Sequence, residues 1–418
     1  MIAKIAWKNI WFKPLNTALS IILLTASVAI ITLLILLQEQ FEKQFDSNID
    51  NIDLVLGAQG SPLQLILSAV YQVDTPTGNI DYTEAKTWMK HRFVQTAVPL
   101  AFGDNYKGFR IVGTTPNYLT VYGKGVKEGR PFAKNFEVVI GSAVAAKMNL
   151  KIGDKFFGSH GDAAEGELHE DHAYIVTGIA VPTGKVADNL ILCNIPSVWA
   201  MHDAGGHTQL IEGIKEIEAD EPGHDYEHHD EAGTEEGKEI TAVLIKFRSK
   251  MGIVMWPRLI AQNTKMQAAS PAIEINRLFS LFGIGLQALQ YLAYGIMFIS
   301  GISIFIALYN TLKERKYEFA LLRVNGASRL QLLWLVLIES LLLCITGFIF
   351  GTVVGRVALS LISGSSESEF KMSFNPFEFV WQKEGYLFGL TIFVGILAAV
   401  IPAVKAYSLN ISKTLANA

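Results

Sequence analysis

Histidine set among carboxylates is the most conspicuous chemistry in this sequence. All nine histidines fall between His91 and His229, eight of them from His160 onward. They group as His160, His169 and His172, as His202 and His207, and as His224, His228 and His229. Glu221, Asp225, Glu227, Asp230 and Glu231 surround the last group. Imidazole with carboxylate is a donor set for zinc and similar divalent ions. A His224-x3-His228 pair would put both rings on one face of a helix, but Pro222-Gly223 and Gly233 argue for a loop. Two readings stand side by side. In one, His202, His207, His224, His228 and His229 buffer or sense zinc or a similar metal. In the other, this is a polar acidic stretch that happens to carry histidine. No GxSxG, HExxH or Cys/His nucleophile arrangement is present, so the chain is not expected to be an enzyme. Nor is there a GxxxxGK[ST] phosphate loop. Cys193 lies in a polar region and Cys344 in an apolar run, and no disulfide is expected between them. No basic patch suits nucleic acid.

The elements that would position such groups divide sharply by polarity. Half of the residues are hydrophobic while 18% are charged, a combination that requires very apolar segments to alternate with ordinary polar ones. The first apolar run is 15–37, about 23 residues and roughly 34 Å as a helix, enough to cross a bilayer. It follows Lys4, Lys8 and Lys13 and ends in Gln38-Glu39-Gln40 without a small-residue cleavage site, which predicts an uncleaved anchor. Further spans are predicted at 278–308, 330–361 and 386–404. The third is longer than one bilayer needs and should tilt or protrude. Lys313, Arg315, Lys316, Arg323 and Arg329 crowd the 309–329 connection, and Lys405 and Lys413 follow the last span. This places the 1–14 and 405–418 termini and the 309–329 loop in the cytoplasm. Residues 38–277, with the His/acidic loop near 202–239, then lie outside, as does the loop at 362–385. Alternating stretches such as Phe109–Val112 and Tyr174–Thr177 read as strands, and Tyr82–Arg92 and Ser142–Met148 as short helices. The expected fold is an α+β membrane protein: one N-terminal span, a large mixed outer domain on helical stalks, then three C-terminal spans.

The connection at 309–329 is the most informative segment. Leu312, Phe319, Leu322 and Val324 fit one face of a short amphipathic helix, with Gly326 as its stop. From the residues alone, a solvated turn and a docking helix for a cytoplasmic partner are equally good readings. Glu314, Arg315, Glu318, Ala320, Leu321, Arg323, Gly326 and Ala327, followed by Ile338-Glu339-Ser340 and the glycines 347, 351 and 355, resemble the signature of FtsX/MacB/LolC-type ABC transporter permeases. Phe136–Ala145, Leu150–Asp154 and Ile175–Ile179 resemble the MacB-like periplasmic core domain of the same family, and the span layout agrees.

That resemblance implies a permease subunit in a bacterial inner membrane, in complex with a separate cytoplasmic ABC ATP-binding subunit. It implies a homodimer or permease heterodimer, with a periplasmic adaptor or cargo protein as a further partner. ATP-driven motion would enter at Glu314, Arg315, Glu318, Leu322, Arg323 and Gly326. It would be transmitted to the outer domain for export or envelope cargo handling, with ATP bound by the partner. A metal-sensing envelope regulator that controls a partner such as a cell-wall hydrolase is the alternative. A secondary transporter fits less well, for lack of an inverted repeat and broken helices.

Gly347, Gly351 and Gly355 form a small-residue stripe, which suits either packing among the four spans or a dimer seam. Gly385 and Gly389 open the fourth span similarly. Glu339, about ten residues into the third span, is expected to make a structural hydrogen bond, and Arg356 to snorkel outward.

Overall fold

The computed structural model describes residues 6–7, 14–159, 172–201, 237–369 and 374–408. It divides into two units, one of residues 1–43 and 280–418, the other of residues 44–279. Helices α1 (Pro14–Ile49) and α8 (Pro271–Glu314) each carry residues of both.

The 44–279 unit is built on a ten-stranded sheet. Its strands are β1 (Leu54–Ala58), β3 (Val94–Tyr106), β4 (Phe109–Thr114), β5 (Val126–Gly129), β6 (Glu137–Ile140), β7 (Lys155–Phe156), β8 (Tyr174–Ala180), β9 (Ile191–Asn194), β11 (Ala242–Phe247) and β12 (Met266–Ala269). The order is β12-β1-β11-β3-β4-β9-β6-β8-β5, with β7 also on β8. Two short strands, β2 (Ile80–Asp81) and β10 (Glu239–Ile240), pair separately. Most pairings are antiparallel, but β4–β9 and β6–β8 are parallel. The thirteen residues of β3 pair with β11 at one end and with β4 at the other, with a register shift between Phe102 and Asn105. Burial alternates along β8, where Tyr174 and Val176 are buried and Ile175 is exposed, the mark of a sheet with one solvated face.

Short helices α2 (Pro62–Ala69), α3 (Tyr82–Met89), α4 (Asn117–Val121), α5 (Ser142–Met148), α6 (195–201) and α7 (Met251–Asn263) pack around the sheet. Ser61 caps α2 with Pro62 at its first position, and Asp81 caps α3 by accepting from the Glu84 N–H at 2.7 Å. Helix α3 stops at Met89 rather than continuing to Arg92. The His91 N–H instead turns back to the Trp88 carbonyl, and its ring packs edge-on against Trp256, whose indole also meets Trp88 and Phe247. Gly129 is required by its neighbours: φ is +82°, and a Cβ would lie 2.2 Å from the Thr177 carbonyl oxygen.

Glu137, at the start of the buried β6, is a cornerstone of this unit. It accepts two bonds from Arg130, at 2.6 and 2.8 Å, and one each from the Ala133 and Lys134 N–H groups at 2.9 and 3.1 Å. The Arg130 guanidinium, with help from those backbone donors, holds its carboxyl down at about 2, against an ordinary value of 4.5.

Among the described residues, the other unit holds four helices long and apolar enough to cross a membrane: α1, α8, α10 (Arg329–Glu369) and α11 (Trp381–Tyr407). A nine-residue helix, α9 (Lys316–Val324), lies between α8 and α10. Two boundaries differ from the sequence reading. The outer loop expected at 362–385 is helical at both ends, because nothing after Gly364 breaks α10 before Glu369 and α11 starts at Trp381. The helix expected within 309–329 begins only at Lys316. Residues up to Glu314 continue α8, since Leu308 and Leu312, one turn apart, are both buried on its packed face.

A carboxylate whose folded pKa lies below its unfolded value stabilises the fold above the unfolded value and loses that contribution as pH falls through the folded one. The acid limb of unfolding should therefore steepen between pH 4.5 and about 2, and Glu137→Gln should flatten it. Arg130 is half-exposed, so Glu137→Ala should cost about 1–2 kcal/mol in urea titrations followed by tryptophan fluorescence.

Candidate functional site

The turn between α8 and α10 is a closed, capped unit. Arg315 breaks α8 and pairs with Glu318 in the first turn of α9, its Nε 2.7 Å from the carboxylate. Phe319 and Ala320 face inward and are buried. Helix α9 ends in a complete Schellman motif. Gly326 sits at φ +96°, its N–H donates to the Arg323 carbonyl at 3.2 Å, and the Ala327 N–H donates to the Leu322 carbonyl at 3.0 Å. The Arg323 guanidinium donates to the Ala327 carbonyl at 2.9 Å. Ser328 then opens α10 with a capping box: its N–H reaches Gln331 Oε1 at 2.8 Å, and its hydroxyl accepts from the Gln331 N–H at 3.2 Å.

The charged residues singled out from the sequence thus shape this turn. Arg315 and Glu318 pair with each other, Arg323 and Gly326 close the helix, Leu322 is half-buried and Glu314 is exposed. The apolar face differs from the expected one. Leu312 belongs to α8, and Val324 points away from the spans. Tyr317, Leu321 and Val324 form a second stripe at i, i+4 and i+7, with exposures of 52%, 47% and 60%. Sequence reading missed this stripe because Phe319 and Leu322 share the same nine residues, and hydrophobicity alone does not say which stripe is covered.

The glycines of α10 are seats for α1. A Cβ on Gly347 would lie 2.7 Å from a Leu24 methyl, one on Gly351 2.5 Å from Val28 Cβ, and one on Gly355 2.8 Å from the Ala29 carbonyl. Ser20 and Ser303 hydroxyls meet at 2.9 Å to join α1 to α8, and Ser340 Oγ donates to the Gly395 carbonyl at 2.7 Å to join α10 to α11. A Cβ on Gly385 or Gly389 meets open space, so within the chain these two glycines seat no other helix. Gly395 is the contact glycine of α11, its position filled by Cys344 Sγ, and it is rotated about 80–120° around the helix from the other two. Glu339 is buried in α10.

Arg356 is not a snorkelling side chain. It is the hub of a polar collar in the second half of α10. One guanidinium nitrogen grips Glu384 of α11 at 2.7 and 2.8 Å. The other donates to the Pro376 and Glu378 carbonyls at 2.6 and 2.8 Å, and the Phe379 ring lies 4.2 Å away. Glu384 Oε1 also accepts the Val380 N–H. The collar reaches α1: Gln40 exchanges two bonds with the Asn375 backbone at 2.7 and 2.8 Å, Lys43 pairs with Glu378, and Glu39 pairs with Lys383 at 2.9 Å.

The histidines separate by position. His160, His169, His202, His207, His224, His228 and His229 lie outside the described residues. His172 stacks on Phe136 and His91 packs on Trp256. Among the described residues, no three His, Cys, Asp or Glu side chains are grouped to hold a metal.

Comparison with known proteins adds to this geometry. A family model for the FtsX-like permease C-terminal region matches residues 291–411. One for the MacB-like periplasmic core domain matches residues 17–211. The chain belongs to the FtsX/MacB-type permeases of ABC transporters. The FtsX-like match spans α9, the glycine stripe and the Arg356 collar. The MacB-like match begins within α1 and takes in β1 to β9. Among solved structures, the periplasmic region of MacB from Actinobacillus actinomycetemcomitans is 12% identical, with 55% of this chain and 95% of that one covered and a TM-score of 0.34. The extracellular domain of the noncanonic ABC-type transporter YknZ from Gram-positive bacteria is 12% identical, with 52% and 99% covered and a TM-score of 0.29. No curated protein matches the sequence. This FtsX/MacB-type permease is a membrane protein with four spanning helices and an extracytoplasmic domain.

Arg356→Leu should cost about 3–5 kcal/mol, because it leaves Glu384 buried without its cation, and Arg356→Leu with Glu384→Leu should recover most of the loss. Thermal unfolding of the detergent-solubilised chain measures both. Gly351→Leu should lower the midpoint further than Gly385→Leu, since only the first displaces α1.

Proposed function

We propose that this permease couples a separate cytoplasmic ATP-binding subunit to its extracytoplasmic domain, and that α9 is where the subunit docks. The observation that carries the reading is the exposed stripe of Tyr317, Leu321 and Val324. It lies on a short helix between two spans, closed at its C-terminus by the Schellman motif and flanked by a cluster of Lys and Arg. An apolar stripe at the end of the spans, among charges that favour the cytoplasmic side, suits a protein groove rather than lipid. Arg315, Glu318, Arg323 and Gly326 hold the helix rigid, so that a push on it is delivered to α8 and α10 rather than absorbed.

From there the motion runs through the spans. The glycine seats bind α1 to α10, and beside Gly355 the collar around Arg356 ties α10 to α11 and α1. Both termini lie in the cytoplasm in this reading, and the 44–279 unit lies in the periplasm or outside. Hydrolysis belongs to the partner subunit. Two permease copies work together, and the stroke serves export or the handling of envelope cargo by the extracytoplasmic domain.

Co-expression with the ATP-binding subunit tests the docking role. Leu321→Asp and Tyr317→Asp should each reduce co-purification about tenfold or more while the permease stays monodisperse. Phe319→Ala should instead lower the permease's own thermal midpoint. Full recovery of the complex with both aspartate variants would rule α9 out as the docking helix.

A further inference from the structure

Helices α8 and α11 leave a groove between them that ends in a pocket of lysines. The groove, of about 260 Å³, is walled by Phe298, Ile302 and Phe305 on α8 and by Val394, Leu397 and Ile401 on α11, and it is floored by Gly301 and Ala398. Its walls are solely apolar, and Phe298, Ile302, Leu397 and Ile401 are exposed. One turn further along both helices the same stripe changes character. On α8 it continues 305, 309, 312, 313, and on α11 it continues 401, 405. These residues, with Lys316, line a second pocket of about 70 Å³: Tyr309, Leu312, Lys313, Lys316 and Lys405. The Phe305 and Tyr309 rings lie 5.9 Å apart and join the two spaces.

Three lysines line that pocket, and one of them meets its phenol. Lys405 Nζ donates to the Tyr309 hydroxyl at 2.7 Å and lies 4.5 Å from its ring centre. Among the described residues, no carboxylate pairs with Lys313, Lys316 or Lys405. Like charges gathered without a counter-charge repel one another, and an anion seated between them removes that cost. Lys405 donates to the phenol oxygen, so the phenolic hydrogen remains able to turn toward that anion. The depth fits as well. Phe298 to Tyr309 is about 16 Å along the helix, close to half of a hydrocarbon core of roughly 30 Å. A lipid with its phosphate among the lysines would therefore lay its acyl chain along the groove within one leaflet.

We propose that groove and pocket are one binding site for an anionic phospholipid of the leaflet bordering the 309–329 turn. An acyl chain lies between Phe298 and Val394, and the phosphate lies among Lys313, Lys316 and Lys405. Basic pockets between spans at the cytoplasmic surface suit such headgroups. The lipid sits directly beside α9, so its occupancy sets how firmly the end of α8 is held against α11.

The test uses the full chain in detergent, titrated with phosphatidylglycerol, phosphatidylcholine or glycerol phosphate and read by native mass spectrometry. Phosphatidylglycerol should bind about tenfold or more tightly than phosphatidylcholine. Lys313→Gln, Lys316→Gln and Lys405→Gln together should abolish that preference. Lys316→Gln alone, an exposed change that leaves the packing intact, should reduce it. Ile302→Trp, which fills the groove, should weaken phosphatidylglycerol binding without altering the thermal midpoint. Equal binding of the two lipids overturns the proposal. So does glycerol phosphate binding as tightly as the lipid, which would mark a free phosphate site. If the triple variant keeps its lipid preference but no longer retains the ATP-binding subunit, the lysines serve a protein contact and the lipid site is refuted.

Discussion

A charge taken out of water must be met on every side, and Arg356 is where this permease meets that demand. Desolvating a guanidinium is costly enough that its hydrogen-bond partners must be fixed before the charge is tolerated. Here the partners are the Glu384 carboxylate, two backbone carbonyls and an aromatic face. Satisfying one side chain thus ties the start of α11 and the chain from Pro376 to Val380 to the second half of α10. The neighbouring contacts of Gln40, Lys43 and Glu39 extend that order to α1. Toward the other end of α10 the capped turn around α9 closes the connection, and the small-residue contacts run between the two, up to Gly355 beside Arg356.

This division suits a lever. Contacts between apolar helices in a bilayer gain little from hydrophobic force, so close backbone approach and hydrogen bonds carry the association. The glycine seats for Leu24, Val28 and Ala29 bring the backbones of α1 and α10 into close contact. The Arg315–Glu318 pair, the Schellman motif and the Ser328 capping box leave few slack dihedrals between α8 and α10. Stiffness placed at the turn and a firm tie at the far end are what a transmitted stroke needs.

Much of this was legible in the residues because it depends on local quantities. Run length gave the four spans, Gly326 marked the end of α9, and alternation marked β4 and β8. Pairings over distance were not legible. Nothing about Arg356 points to Glu384, 28 residues on and in another helix, so snorkelling was the natural reading. Gly385 and Gly389 have the spacing of a packing motif, yet rotation about the helix axis decides whether such a motif meets a neighbour, and α11 turns Gly395 inward instead. On α9 two apolar stripes compete, and only tertiary packing shows that Phe319 is the covered one. The outer histidines beyond His91 and His172 lie outside the described residues, so the two readings of that stretch stand as the composition left them.

The glycine stripe also bears on how the protein is made. Leu24 and Val28 enter the membrane early in synthesis, while Gly347 and Gly351 are added about 320 residues later. At ordinary elongation rates that interval is roughly 15–65 s. Throughout it, the surface that will rest on the stripe faces lipid or the insertion machinery, and the whole sheet-bearing unit is being delivered to the other side. Helix α1 must therefore hold its place in the bilayer alone, which its long, uncharged run from Leu15 to Leu37 equips it to do. Assembly of the four helices is a late event in the life of the chain, completed only once α10 supplies the groove that α1 has been waiting for.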